Sequence, residues 1–136
     1  KRLRDDVLNE VPDIVVIFFG TNDVSSKEVF LANYHNNLAY MLTCISPNKC
    51  LLVTPGIAGP TRANLRPLSK MEQYAKETLT VANEFKIPAL DWFDICKDKD
   101  PKELLQADDL HYSEMAYRQL VEQLTPLLKN KLDSLS

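Results

Sequence analysis

Two short polar segments carry the side chains best suited to chemistry. The first, Gly20-Thr21-Asn22-Asp23, directly follows the apolar run 14–19. A glycine permits close backbone approach, and an asparagine amide can donate a hydrogen bond to an oxygen that becomes negative during acyl transfer. The same residue types are also common in ordinary turns. Taken alone, this segment fits either an oxyanion-binding loop or simple turn chemistry.

The second segment is Asp108-Asp109-Leu110-His111. An aspartate three residues before a histidine can accept the imidazole Nδ1 proton, which leaves Nε2 available as a general base. Taken alone, the segment also fits a local Asp/His hydrogen bond or a cap at a helix start. A metal site is the weaker alternative, because the other histidine, His35, lies far away within a predicted helix.

Three apolar runs predict the strands that would position these segments. The run 14–19 consists mostly of β-branched and aromatic residues, which is typical of a strand buried on both faces. Residues 50–54 and 87–92 predict a second and a third strand. Each is followed by polar or turn-forming residues, so the carboxyl ends of the strands are expected to form the functional edge of the sheet.

Helices are predicted between these strands. Leucine and valine residues at helical spacing indicate a helix within 1–9, and longer apolar stripes predict helices from about 27 to 45 and from 64 or 67 to 85. A last helix is expected from near Ser113, which can cap it, to about 132, with a kink at Pro126. The alternation of helices and strands predicts an α/β fold with a parallel sheet and helices on both faces.

The bulk composition favours one globular α/β domain over residues 1–136. The chain has 45% hydrophobic residues and a net charge of −3, from 16 basic and 19 acidic residues. This charge balance argues against nucleic acid as a partner. The three cysteines, at 44, 50 and 96, are expected to be buried free thiols rather than to form a Cys44–Cys50 disulfide, which favours a cytoplasmic location. Any signal peptide would precede residue 1.

The order of the two polar segments changes their interpretation. An apolar strand leading into Gly20-x-Asn22-Asp23, and then Asp108-x-x-His111 just before the last helix, resembles the third and fifth sequence blocks of the SGNH (GDSL-type) serine ester hydrolases. The resemblance extends over essentially the whole chain. It implies a three-layer α/β/α, flavodoxin-like fold and a carboxylic ester hydrolase that uses Ser/His/Asp acyl transfer, without metal or cofactor, on small-molecule or lipid esters.

The resemblance also implies a role for each matching residue. Asn22 would be an oxyanion-hole donor, and Gly20 would shape the same loop. His111 would be the general base, and Asp108 would be the acid that orients it. For Asp23, we expect a structural hydrogen bond.

Two features depart from the family pattern. Asp109 stands where the family commonly has glycine, and the three-residue spacing favours Asp108 over Asp109 as the acid. In addition, the Gly-Asp-Ser block and the second block of the family are absent and would precede residue 1. We therefore expect a hydrolase domain incomplete at its N-terminus, with about three strands and four helices, that is inactive alone. No serine within the chain, including Ser25, Ser26 and Ser113, has the context of the family's nucleophile.

An incomplete sheet would have consequences for partners. In the family, the strand that corresponds to 14–19 has a neighbour on each side, so here one edge would be exposed. It is expected to pair with a missing N-terminal segment or to self-associate. The alternative function is a non-catalytic binding or interaction module, and a flavodoxin-like regulatory domain is a weaker third. The loops 57–66 and 96–106 would form the substrate pockets, whose specificity these residues do not determine.

Overall fold

The computed structural model describes residues 13–18 and 31–135, and the fold is α/β with a parallel sheet. The sheet consists of β1 (Val15–Phe18), β2 (Cys50–Val53) and β3 (Ala89–Leu90), in the order β1-β2-β3. Both pairings are parallel, and β1 aligns with β2 from Val15 opposite Cys50 to Phe18 opposite Val53. The fold class predicted from the sequence is confirmed.

Three long helices and several short ones accompany the sheet in the described residues. In chain order the α-helices are α1 (Leu31–Ile45), α2 (Leu68–Phe85), α3 (Trp92–Cys96), α4 (Pro101–Leu104) and α5 (Glu114–Leu135). Two single turns of 3₁₀-helix, Pro47–Lys49 and Pro60–Arg62, lie on either side of β2. The helix expected within 1–9 and the polar segment 20–23 fall outside the described residues.

The core forms around β2, all of whose residues are buried. Helices α1 and α2 pack against each other beside it. Their contact includes a buried hydrogen bond of 2.7 Å between the Tyr34 and Thr78 hydroxyls, and the ring of Tyr34 also packs on that of Tyr74. Most of the apolar stripe that predicted each helix faces the interior, as expected for amphipathic helices, but Leu68 at the start of α2 was expected to point inward and is exposed.

The third strand is shorter than predicted, because the chain turns into α3 at Trp92 instead of continuing extended to residue 92. The side chain of Asp91 accepts a hydrogen bond of 3.1 Å from the Asp94 backbone and so caps this helix. Asp100 caps α4 in the same way, with Pro101 as the first helical residue. The sequence analysis predicted neither short helix.

The last helix is longer than predicted and extends to Leu135, with Pro126 inside it. The expected cap is confirmed, because the Ser113 hydroxyl accepts a hydrogen bond of 3.2 Å from the Ala116 backbone. The same hydroxyl donates to the carbonyl of Glu103 at 2.7 Å. This pair of bonds ties the start of α5 to α4.

The three cysteines are all free thiols, but they do not share one environment. Cys50 and Cys96 are fully buried, and burial raises the pKa of their thiols to about 11 and about 12, respectively. Cys44 is exposed on α1, so the expectation of buried thiols was wrong for this residue. Within the described residues, no helix combines the length and apolar character needed to cross a bilayer.

Candidate active site

The turn 106–111 connects α4 to α5 and contains the Asp108–His111 pair. Its two ends are held together by a bridge between Leu105 and Tyr112 and by a bond of 2.8 Å from the Gln106 backbone to the His111 carbonyl. The loop that leaves the carboxyl end of β2 contacts this turn, because the Gly59 backbone donates to the Asp109 carbonyl at 2.8 Å. The turn therefore lies at the edge where α/β proteins place their functional groups.

Asp108 and His111 form a direct hydrogen bond between Oδ2 and Nδ1. The other carboxylate oxygen, Oδ1, accepts hydrogen bonds of 3.0 Å from the Leu110 and His111 backbones. These bonds stabilise the charged carboxylate and lower the pKa of Asp108 far below its usual range, with the His111 bond as the largest cause. An ionised carboxylate only accepts, so the Nδ1 of His111 carries the proton.

The His111 side chain is open to solvent, with 66% of its surface exposed. Because its Nδ1 is bonded to Asp108, Nε2 is the ring nitrogen available for proton transfer. The arrangement can thus accept a proton from a group that approaches from the solvent side. This is the geometry that the sequence analysis expected for these two residues.

Asp109 has different partners from Asp108. Its backbone is left-handed, with a φ of 58°. Its Oδ2 accepts hydrogen bonds from Thr61, at 3.1 Å from the backbone nitrogen and 2.8 Å from the hydroxyl. The Thr61 hydroxyl bond is the largest cause of the lowered pKa of Asp109. The adjacent carboxylates therefore serve separate contacts, and only Asp108 faces the imidazole.

Aromatic residues pack beneath the turn. The ring of Tyr112, which directly follows His111, stacks on Phe18 at the end of β1 with a centroid distance of 6.1 Å. It meets Trp92 edge to face at 5.8 Å, and a Cβ added to Gly56 would lie 2.3 Å from the Tyr112 hydroxyl. Burial raises the pKa of Tyr112, so this phenol is neutral in the folded protein.

The other residues singled out from the sequence are placed as follows. Gly20, Asn22 and Asp23 fall outside the described residues. Ser113 lies in the chain two residues after His111, but its hydroxyl is donated to the Glu103 carbonyl, which is unsuited to a nucleophile. Across residues 13–18 and 31–135, no three His, Cys, Asp or Glu side chains are grouped so that they could hold a metal ion.

Sequence reasoning missed the residues that contact the turn from the loop after β2. Thr61 and Arg62 bond to Asp109 and Asp108, respectively, across 48 and 46 positions of sequence. No periodicity or spacing connects such distant positions, so the sequence offered no signal for them. Tyr112 could have been suspected only because it adjoins His111.

The fold and the turn together define an α/β protein with an exposed, carboxylate-oriented histidine at the carboxyl edge of a parallel sheet. A sequence profile of the GDSL-like lipase/acylhydrolase family matches residues 1–119. The chain belongs to this family. The resemblance inferred from the two polar segments is therefore confirmed.

Curated relatives include two esterases. An isoamyl acetate-hydrolyzing esterase of Schizosaccharomyces pombe is 26% identical over 118 residues, covering 82% of this chain and 48% of that protein. The human isoamyl acetate-hydrolyzing esterase 1 homolog is 28% identical over 147 residues, covering 93% of this chain and 59% of that protein. The chain thus spans about half to three-fifths of the length of these relatives.

Solved structures share the fold. A lipase/acylhydrolase from Enterococcus faecalis superposes with a TM-score of 0.86 at 33% identity, covering 96% of this chain and 67% of that one. An acetylxylan esterase from Geobacillus stearothermophilus superposes with a TM-score of 0.74 at 24% identity, covering 93% and 64%. The second likeness is one of fold alone.

Proposed function

We propose that this protein is a carboxylic ester hydrolase that acts by Ser/His/Asp acyl transfer, with His111 as the general base and Asp108 as the acid that orients it. The observation that carries the proposal is the Asp108–His111 hydrogen bond on a turn whose imidazole remains exposed. Membership of a family whose curated relatives are esterases supports the same reaction class.

In the proposed reaction, Nε2 of His111 removes the proton from a serine hydroxyl as its oxygen attacks the ester carbonyl. The resulting imidazolium then protonates the departing alcohol, and a water molecule repeats the sequence on the acyl-enzyme. Asp108 remains ionised throughout and stabilises the imidazolium through Nδ1. Its depressed pKa suits this role, because the carboxylate keeps its charge well into the acidic range.

The oxyanion donor in this proposal is Asn22, with Gly20 shaping its loop. The contact between Phe18 and Tyr112 supports the assignment. Phe18 ends β1 and lies four positions before Asn22, while Tyr112 directly follows His111. The end of β1, four positions before Asn22, therefore lies next to the residue that follows His111, which is compatible with one acyl-transfer site.

We further propose that the nucleophilic serine lies outside these 136 residues. The family pattern places it in a Gly-Asp-Ser block, which the sequence does not contain. Substrates would be small-molecule or lipid esters, in line with relatives that are named for ester hydrolysis.

Hydrolysis of short-chain p-nitrophenyl esters tests the proposal in a protein that joins this chain to the serine-bearing segment. His111→Ala is expected to lower kcat by roughly 10³-fold or more, and Asp108→Asn by roughly 10²- to 10⁴-fold, because each disables the base. His35→Gln, which alters the chain's other histidine, is the matched control and should keep its rate. Equal rates for His111→Ala and the unchanged protein would contradict the assignment.

The same assay on the 136-residue chain tests the location of the serine. We expect no hydrolysis above background from this chain alone. Activity that survives in the chain alone would place the nucleophile within it. A joined protein without activity toward any ester would instead favour a non-catalytic binding module.

A further inference from the structure

The turn that holds Asp108 and His111 is exposed, so its own hydrogen bonds compete with water. The side chain of Asp108 is 37% exposed and that of His111 is 66% exposed. Within the turn, the bonds to Asp108 Oδ1 and the 3.0 Å bond from the Asp109 backbone to the Gln106 carbonyl are all local. Local bonds of this kind leave an isolated turn free to adopt other conformations.

Asp109 has a left-handed backbone conformation within this turn. Its φ of 58° lies in the left-handed region, which glycine adopts most readily and which aspartate tolerates better than most residues that carry a Cβ. The family pattern commonly has glycine at this position, so this chain keeps the backbone shape without the residue that adopts it most readily. A contact from outside the turn would add to the stability of this backbone conformation.

Three residues of the loop after β2 supply four hydrogen bonds of this kind. Thr61 donates to Asp109 Oδ2 from its backbone nitrogen and from its hydroxyl, and Gly59 donates to the Asp109 carbonyl. Arg62 Nε donates to the Asp108 carbonyl at 3.1 Å. The Asp108–Asp109 peptide is thus held on its carbonyl side by Arg62, while the Asp109 side chain is anchored to Thr61.

The fit between these segments is close. A Cβ added to Gly59 would lie 2.4 Å from Asp109 Cγ, so the loop approaches the Asp109 side chain as near as a residue without a side chain permits. The 3₁₀ turn Pro60–Arg62 brings Thr61 to the Asp109 carboxylate and Arg62 to the Asp108 carbonyl. The contact needs a side-chain acceptor at 109, because glycine there would leave the Thr61 hydroxyl without this partner.

We propose that Thr61 is a positioning residue for the acid–base pair: through Asp109 it holds the left-handed turn in the shape that keeps Asp108 bonded to His111. The inference rests on the proposed function for its catalytic meaning, but its geometric part concerns the turn itself. Thr61 and Asp109 together replace the glycine of the family pattern. A substitution of Thr61 should therefore affect the Asp108–His111 pair differently after Asp109 has also been substituted.

Steady-state ester hydrolysis by the joined protein tests this coupling. Thr61→Val, which removes the hydroxyl at nearly constant volume, is expected to lower kcat roughly tenfold with KM nearly unchanged, because the base is misplaced. Thr61→Ser should restore the rate. Asp109→Gly should remain nearly as active as the unchanged protein. Adding Thr61→Val to Asp109→Gly should cause no further loss of kcat. A loss that appears in KM, or one of equal size in the Asp109→Gly background, would overturn the proposal.

A second measurement separates this inference from the proposed function. The ¹⁵N shifts of the His111 ring, assigned with His35→Gln, report which nitrogen carries the proton at a pH where the ring is neutral. We expect the Nδ1–H form in the unchanged protein, a shift toward the Nε2–H form in Thr61→Val, and recovery in the Thr61→Val/Asp109→Gly pair. Spectra that Thr61→Val leaves unchanged would contradict the positioning role, whether or not the protein hydrolyses esters.

Discussion

Neighbouring residues of one type can have separate tasks, and Asp108 and Asp109 illustrate how their partners decide this. Asp108 accepts from the His111 ring and from two backbone groups of its own turn, whereas the carboxylate of Asp109 accepts from Thr61. Both have lowered pKa values, yet only the first is placed to orient a base. Charge alone therefore does not distinguish the two carboxylates, whereas their hydrogen-bond partners do.

A second left-handed residue offers a test of backbone strain away from the site. Lys86 ends α2 with a φ of 55°, and its nitrogen and that of Ile87 bond back to Asn83 and Ala82 in a Schellman arrangement. Lys86→Gly is expected to raise the free energy of unfolding by about 0.5–1 kcal/mol, because glycine adopts this conformation without a Cβ clash. Lys86→Ala removes the same side chain but keeps the Cβ, so it should give no gain in urea denaturation.

The site was predictable from the sequence only where its contacts are local. Asp108 and His111 lie three positions apart, so their spacing within one turn suffices to predict the bond between them. The Thr61–Asp109 contact joins segments that only the folded sheet brings together. The unusual residue at position 109 hinted at a constraint on the backbone, but the sequence did not indicate its partner.

At the scale of elements, the pairing of α1 with α2 combines apolar packing with one charged cluster. His35 of α1 faces two carboxylates of α2, with Nδ1 on Glu77 and Nε2 at 3.2 Å from Glu84. Both ring nitrogens can donate only when the imidazole is protonated, so the Glu77 bond, with further help from Glu84, raises the pKa of His35 while burial opposes the rise. The helix pair therefore prefers the charged histidine.

This preference predicts a pH dependence of stability. Because the folded pKa of His35 lies above the unfolded value of about 6.5, its contribution is complete below that value and is lost as the pH rises through the folded pKa. His35→Gln should lower the free energy of unfolding by roughly 0.5–1 kcal/mol near pH 5.5 and by much less near pH 9. Asn36→Gln, on the exposed side of the same helix, should show no such pH trend in thermal or urea unfolding.

The elements that the sequence predicted best are those with long, regular patterns. Several residues share the pattern in the apolar runs of β1 and β2 and in the stripes of α1 and α2. A single residue that does not fit the pattern therefore leaves the prediction unchanged. The helices Trp92–Cys96 and Pro101–Leu104 are too short for periodicity. Their capping residues, Asp91 and Asp100 with Pro101 behind it, were the signals that could have revealed them.

At the scale of the whole molecule, β1 is the edge strand of the sheet in the described residues, and its outer surface is apolar. Val16 is 39% exposed, and the nearby start of α5 carries the exposed residues Tyr117 and Val121. Tyr112 connects the two elements, because its ring stacks on Phe18 and meets Tyr117 edge to face. We propose that β1 pairs with the serine-bearing segment or, without it, with a second copy of the chain.

Sedimentation of the isolated chain tests this proposal. We expect the chain to associate in a concentration-dependent manner, and Val16→Lys to weaken the association roughly tenfold by placing a charge on the edge strand. Leu68→Lys is the matched control, because Leu68 is an exposed apolar residue like Val16 but lies at the start of α2. This substitution should leave the association unchanged. An isolated chain that stays monomeric at all concentrations would contradict the proposal.

The three thiols are buried to different degrees, so their reactivity toward an alkylating reagent can be used to follow unfolding. An alkylating reagent meets Cys44 in the native state, but it can reach Cys50 and Cys96 only after the core opens. Cys50 belongs to the central strand and Cys96 ends α3, so the two would register the opening of different parts of the structure. Mass spectrometry of the peptides that contain Cys50 and Cys96 would show which thiol is alkylated first. Simultaneous alkylation would show that the sheet and the segment beneath the histidine turn unfold as one cooperative unit.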